Sequence, residues 1–565
     1  MKFKATCIMS ITTPWSHLVL SSGLTVCILL ISGCGFKSLD ADCIVHNGTI
    51  LTLDSENTTA QALAVKDGKI LEVGPERQIL NKYRAPLQVD LRGGVLTPGL
   101  MDAHAHLVGY ADGLLEANLV GADSWEETVE RVVEHAQSST SEWVRGRGWD
   151  QNDWEVTDWP NRTMLDSLFP DVPVYLERID GHAVIINGEA LRRVGVLCGM
   201  DYGGGLVLCD DNNEPTGVLI DEMAYDVLRF LPPHDSLLRT NSLLAAQATM
   251  FENGLTQITD AGLSAREIER LLDLEEQGLL KLRINAMVSG TDEDIAWLIA
   301  NGPIATDYIS VSSVKFYMDG ALGSRGAMLL DPYSDLAGWH GLSTQDVAWF
   351  KENLNLLHNN GLQAATHCIG DSAVRVVLDC YGQVLEGAND RRWRIEHAQV
   401  VSKKDMTQFG ANHVIPSIQP THATSDMYWA GERLGRNRIR RAYAYKELLE
   451  QLGMVALGTD FPVEDVDPRK TMHSATARKD ADGYPEGGFQ MENALTPIQA
   501  LRGMTQWVAL TQFQEESLGT IEAGKLADFT WMDRNWLTID SKDMLSTRIW
   551  GTCIGGEWVY LNEQR

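Results

Sequence analysis

The chain has 565 residues, more than one ordinary core accommodates, so two or three domains are expected. Hydrophobic residues make up 44% of it, which excludes wholesale disorder. A net charge of −30 argues against nucleic acid as a partner, because phosphate binding needs basic patches; the acidity reads as a solvated surface.

At the N-terminus, Lys2 and Lys4 precede an apolar, uncharged run from Leu18 to Gly33, and Cys34 follows at once. Ile31-Ser32-Gly33-Cys34 resembles a bacterial lipobox. Residues 1–33 then form a lipoprotein signal peptide, and Cys34 becomes the acylated first residue of the mature chain. The alternative is a plain membrane anchor, but roughly 16 residues fall short of the about 20 that a span needs. Gly35, in place of Asp, resembles the pattern that sorts Gram-negative lipoproteins to the outer membrane. The expected location is therefore the bacterial cell envelope, lipid-anchored and facing the periplasm, with the membrane as a partner. Cys43, Cys198, Cys209, Cys368, Cys380 and Cys553 lie beyond the signal and lack CxxC spacing, which argues against a zinc ribbon. Export permits a disulfide, and Cys198 and Cys209, which flank a Gly-rich turn, are the candidate pair.

From Asp42 to Leu96 short apolar runs alternate with turn signals. "CIVHNGTILTLD", "ALAVKDGKILEVG" and "LQVDLRGGVLTPG" read as strands broken by Asn-Gly, Asp-Gly and Gly-Gly. "LGTIEAGKLADFTWMD" and "TCIGGEWVYL" read the same way at the other end. Two β-rich ends predict one small β domain that brings both termini together.

The middle, 98–517, repeats a different unit. Strand-like runs occur at "GGVLTPGLMDAH", "GLTQITDAG", "LRINAMVSG", "ISVSSVKFYMDG", "GLQAATHCIGD", "WRIEHAQ", "VIPSIQP" and "MVALGTDFPV", eight in all. They are apolar on successive residues, as parallel strands buried on both faces should be. Helices fit between them; "DSAVRVVLDCYGQVLEG" opens with Asp371 as a natural N-cap. Eight βα units predict an α/β protein with a TIM-type (β/α)8 barrel. Most runs lie about 30 to 60 residues apart, but the first two are separated by about 150. An inserted subdomain over about 108–244 follows, carrying "EWVRGRGWDQNDW" and "VPVYLERIDGHAVIIN". It is expected over the carboxyl end of the barrel, where active sites form.

Polar residues collect at the ends of these runs: His104 and His106 on the first, Lys315 and Asp319 on the fourth, His367 on the fifth, His397 on the sixth, Asp460 on the eighth. In a barrel all these ends share one mouth. Residues i and i+2 of a strand face the same way, so His104 and His106 aim two imidazoles at one point, as chelation requires. With His367, His397 and Asp460 at matching ends, a metal site is expected.

"TPGLMDAHAHL" is similar to the signature of the amidohydrolase superfamily. Further stretches resemble the branch called amidohydrolase family 3, of the YtcJ-like and N-substituted formamide deformylase-like type. They are "RGWDQNDW", "DGHAVIIN", "PTGVLID", "VKFYMDGALGSR", "HCIGDSAV", "RIEHAQ", "SIQPTH", "ALGTDFPVE" and "LGTIEAGKLADF", in order over nearly all of the mature chain. The resemblance implies a metal-dependent hydrolase on a TIM barrel, with a small β-sandwich that would be built from 42–97 and 518–565. It implies one or two divalent ions, zinc by default. His104 and His106 would bind the more buried ion with Asp460 close by, and His367 and His397 the second. Lys315 would bridge both as a carbamate formed with carbon dioxide, which makes chemical sense because a protonated lysine cannot ligate; the alternative is an ordinary ion-pair lysine beside Asp319. A metal-held hydroxide would attack the carbonyl, with Asp460 carrying the proton to the leaving nitrogen or serving only as a ligand.

Other roles stay open between two readings. His182 would reach the site and polarise substrate, or is a lone structural histidine. Asp319 and Arg325, in "DGALGSR", grip substrate or close a turn through a salt bridge. His422, in "QPTH", is a site residue or a structural one. Asp371 reads as a helix cap rather than a metal ligand, and Trp149 and Trp154 as core packing rather than the lining of an apolar pocket. The expected partner is a small-molecule amide, a linear N-formyl or N-acyl amine whose C–N bond is cleaved. A cyclic amide or lactone on the same site is the alternative. A lipid-anchored binding or regulatory barrel would have lost ligands, and none is missing. A second copy of the chain, in a homodimer, is a further partner that the sequence leaves undecided.

Overall fold

The computed structural model describes residues 38–137, 141–199 and 204–563. The proposed signal peptide and Cys34 lie outside the described residues. Eight parallel strands pair in chain order: β1 (Leu100–Ala105), β2 (Leu255–Leu263), β3 (Arg283–Ser289), β4 (Ile309–Tyr317), β5 (Gln363–Cys368), β6 (Arg394–His397), β7 (Ile415–Ile418) and β8 (Ala456–Leu457). β1, β5, β6, β7 and β8 are buried at every residue, which is what their continuous apolar runs encode. Helices flank them, as in the amphipathic Ala265–Glu276 after β2, which Ser264 caps by accepting the Glu267 N–H.

No regular ladder joins β8 to β1, so the barrel is nearly rather than fully closed. Its seam is held by residues next to the histidines. The Asp102 carboxylate accepts the Thr459 N–H at 3.1 Å and the Thr459 hydroxyl at 2.7 Å. Asp460 donates its N–H to the His104 carbonyl at 2.7 Å, and His106 donates to Phe461 at 2.8 Å. The approach requires glycine at 458: a Cβ there would lie 2.6 Å from the His104 nitrogen.

Between β1 and β2 stands a six-stranded mixed sheet running from Ala117–Asn118 to Pro215–Asp221. It has its own core, which includes Trp149 and Trp154. Both indole N–H groups are satisfied by carbonyls, of Leu176 and Ala122, so these tryptophans are packing residues. Cys198 and Cys209 are joined by a disulfide beside the edge strand Gly205–Cys209. The terminal segments supply a four-stranded and a six-stranded sheet, the second combining Thr49–Leu51 and Val95–Pro98 with Phe529–Met532 and Ile549–Ile554. Val45, Leu63, Leu96, Phe529 and Trp531 share one core there.

Asp371 departs from the cap expected of it. The helix spans Asp371–Leu385, its N-cap is Gly370, and no side chain caps it. Asp371 is the first helical residue, one position too late to cap, and its carboxylate instead accepts the Leu330 N–H at 2.9 Å. It ties down the long loop after β4. Among the described residues, no helix is long and apolar enough to cross a membrane.

Candidate functional site

His104 and His106 leave β1 on the same face and meet Asp460 from beyond β8. Asp460 Oδ1 lies 3.2 Å from His106 Nε2 and 3.5 Å from His104 Nε2. The other carboxylate oxygen, Oδ2, faces His422 Nε2 at 3.7 Å and His397 Nδ1 at 3.9 Å. Two groups therefore share one carboxylate: His104, His106 and Asp460, and His397, His422 and Asp460. Within each, the ligand atoms lie within 4.8 Å of one another. His106 is the open member, with 29% of its side chain exposed against 8% for Asp460.

His367 and His397, expected together on the second ion, are neighbours, with ring centroids 4.5 Å apart. His367 Nε2 faces the Gly320 carbonyl at 3.5 Å and Asp319 Oδ1 at 3.7 Å. His422 joins His397 beside Asp460. Its approach is local in origin. β7 ends at Ile418, and the helix Pro420–Ser425 turns straight back over the mouth, carrying His422 inward.

Adjacent residues of a regular strand face opposite ways, yet Glu396 and His397 both serve the site. The backbone explains it: His397 and Ala398 have φ of 69° and 42°, which breaks the alternation. Glu396 was not foreseen. It is fully buried; its Oε2 lies 2.5 Å from His104 Nδ1, and its Oε1 lies 2.7 Å from the Arg394 guanidinium. Arg394 also donates to the Ala103 carbonyl and the Ser417 hydroxyl, tying β6 to β1 and β7. Burial disfavours the Glu396 carboxylate, but the Arg394 charge and the hydrogen bond with His104 hold it well below the usual range. Two charged residues inside a strand read as buried was the available signal.

Lys315 enters from β4 with its Nζ 3.2 Å from His104 Nε2 and 4.6 Å from the centre of the Tyr317 ring. Burial pushes its amine down to about 8. Burial, followed by the Lys315 charge, pushes His104 down to about 4, so a neutral imidazole presents its lone pair. Asp319 is fully buried, and its carboxylate accepts the N–H groups of Ile369 at 3.0 Å and of Gly370 and Met328 at 2.8 Å. Burial pushes it up to about 7 against those hydrogen bonds. Arg325 pairs with Asp335 at 2.9 Å, which Arg433 also binds at 2.6 Å, so its salt bridge runs outside the turn and not to Asp319. His182 reaches the cluster from the insertion, its ring 5.0 Å from that of His367.

The donor set fits a divalent cation. Asp460 Oδ1 and His422 Nε2 are buried without a well-directed hydrogen bond. Leaving such atoms unpaired costs about 1–3 kcal/mol each; a cation beside His104 and His106 would satisfy the first, and one beside His397 the second.

The amidohydrolase family model matches residues 88–560. The YtcJ protein of Bacillus subtilis (strain 168) is 30% identical over 92% of this chain and 99% of its own. N-substituted formamide deformylase of Arthrobacter pascens is 25% identical over 91% and 97%. The crystal structure of an uncharacterised metal-dependent hydrolase from Pyrococcus horikoshii superposes with a TM-score of 0.72 at 25% identity, covering 88% of this chain and 99% of that one. By its sequence, its barrel and its histidine–carboxylate mouth, the chain belongs to the amidohydrolase family, as a metal-dependent hydrolase acting on carbon–nitrogen bonds.

Proposed function

We propose that the substrate is a linear amide, an N-formyl or N-acyl amine. The observation that carries this reading is the likeness, over nearly the whole of both chains, to an enzyme named for removing formyl groups from N-substituted formamides. The mouth is consistent with it, since one carboxylate stands where water and a departing nitrogen can both be served.

His104, His106 and Asp460 would hold one divalent ion, with His397 and His422 offering ligands for a second; zinc is the proposed metal. When bound, the metal supplies Lewis acidity, which acidifies water and polarises the amide carbonyl. Asp460 takes the proton of the attacking water and returns it to the leaving nitrogen, so the amine departs neutral. Its carboxylate is ionised at rest and so open to a proton or a cation: burial opposes ionisation, but the surrounding imidazoles hold it well below the usual range. Its backbone φ of 63° fixes the carboxylate across the seam between β8 and β1. Lys315 is proposed to carry carbon dioxide as a carbamate, because its lowered amine offers the neutral form that reacts. The lipid anchor at Cys34 is part of the same proposal and rests on the sequence alone.

The test is amine release. The chain from Gly35 onward would be prepared with zinc and bicarbonate and offered N-formyl, N-acetyl and longer N-acyl amines, with Asp460→Asn as control. Release that is lost in Asp460→Asn is the expected result. A metal-loaded protein that releases no amine yet opens cyclic amides or lactones would overturn the linear-amide reading.

A further inference from the structure

The insertion contributes a buried pair that the reaction above does not use. His182 stands just before the strand Ala183–Ile186, and Asp221 closes its antiparallel neighbour, Pro215–Asp221. Asp221 donates its N–H to the His182 carbonyl at 2.8 Å. Their side chains also meet, His182 Nδ1 lying 2.9 Å from Asp221 Oδ1 and 3.3 Å from the Tyr225 hydroxyl. His182 packs in turn against His367, which packs against His397. The pair thus runs from the inserted sheet into the barrel mouth.

Asp221 is held in a way that packing alone does not require. Its φ of 53° and ψ of −124° lie outside the regions open to ordinary residues. Its Oδ2 is buried with no hydrogen-bond partner. Gly320 and Gly326, on the loop after β4, press so near that a Cβ at either would overlap the carboxylate. The loop and the insertion clamp this one side chain against one imidazole nitrogen.

We propose that Asp221 is a positioning residue for the hydrolysis: it keeps a proton on His182 Nδ1 and thereby presents His182 Nε2 to the substrate in front of His367. A carboxylate accepts and does not donate, so the nitrogen facing it must carry the hydrogen, and the other nitrogen becomes the working atom. This rests on the hydrolytic reading of the site but not on which amide is cleaved.

Two measurements decide it. In protein labelled with 15N-histidine, the His182 ring signals are those lost in His182→Gln; Nδ1 is expected as a protonated nitrogen. An unprotonated Nδ1 would overturn the proposal. On the amide that the wild type hydrolyses, Asp221→Asn is expected to lower kcat by about 100-fold or more with KM little changed. The double variant with His182→Gln should be no slower than the worse single, because the two act as a unit. Losses that multiply, or a lowered thermal midpoint with kcat intact, would show a merely structural carboxylate. If no amide is turned over, the proposed substrate class fails, and the ring-nitrogen signals still decide Asp221.

Discussion

Glu396→Gln should damage fold and site together. The carboxylate lies between the Arg394 guanidinium and His104 Nδ1, and both acid and arginine are fully buried. Gln keeps the shape and removes the charge. Arg394 then retains only neutral acceptors, the Ala103 carbonyl at 2.7 Å and the Ser417 hydroxyl at 2.8 Å, for a cation sealed from water. Breaking such a buried pair costs about 3–5 kcal/mol. The loss also frees the His104 ring, and removing the partner that orients a ligating imidazole weakens metal binding by about 10- to 100-fold. The assays are the midpoint of urea unfolding and the metal retained after dialysis against a graded chelator series. The wild type should show a matching pH dependence. A carboxyl depressed on folding stabilises the native state above its unfolded pKa of about 4.3, and the contribution fades as pH falls through the lower folded value. The wild type should therefore lose stability below about pH 4 to 5 more steeply than Glu396→Gln. A variant as stable as the wild type at pH 7, with metal affinity unchanged, would refute the role given to this pair.

Other expectations follow from single contacts. Wild-type protein equilibrated with 13C-bicarbonate should give a carbamate carbon signal that Lys315→Met lacks; identical spectra would leave Lys315 an amine. Gly458→Ala should cost about 1–3 kcal/mol, read from unfolding curves, because its Cβ would enter the backbone of His104. Cys34→Ser should move the chain from the detergent phase to the aqueous phase on phase partitioning; unchanged partitioning would exclude lipid at that residue.

Much of the barrel was legible because strands buried on both faces must be apolar at successive positions, and the eight runs answer to β1–β8. His104 and His106 were legible for the same geometric reason, the two-residue period of a strand. What the period does not carry is what happens where a strand ends. His397 and Asp460 turn inward through left-handed backbone, with φ of 69° and 63°, which no alternation rule contains. The place of His422 beside Asp460 depends on the helix Pro420–Ser425 folding back over the mouth, a tertiary fact. Glu396 and Asp221 take their roles from partners far along the chain, His104 and His182; the charged pair in a buried strand flags Glu396 without naming its partner, and nothing in its own stretch flags Asp221. Asp371 shows the limit of cap rules: a shift of one residue made it the first helical position and gave its carboxylate to Leu330.

The most direct test of a metal-dependent amide hydrolase is the rate of amine release before and after metal removal. Protein stripped with chelator and gel-filtered should lose activity, and added Zn2+ should restore it in proportion to the one or two equivalents bound. Stripped protein that releases amine at the full wild-type rate would contradict a catalytic role for the cluster of His104, His106, His397, His422 and Asp460.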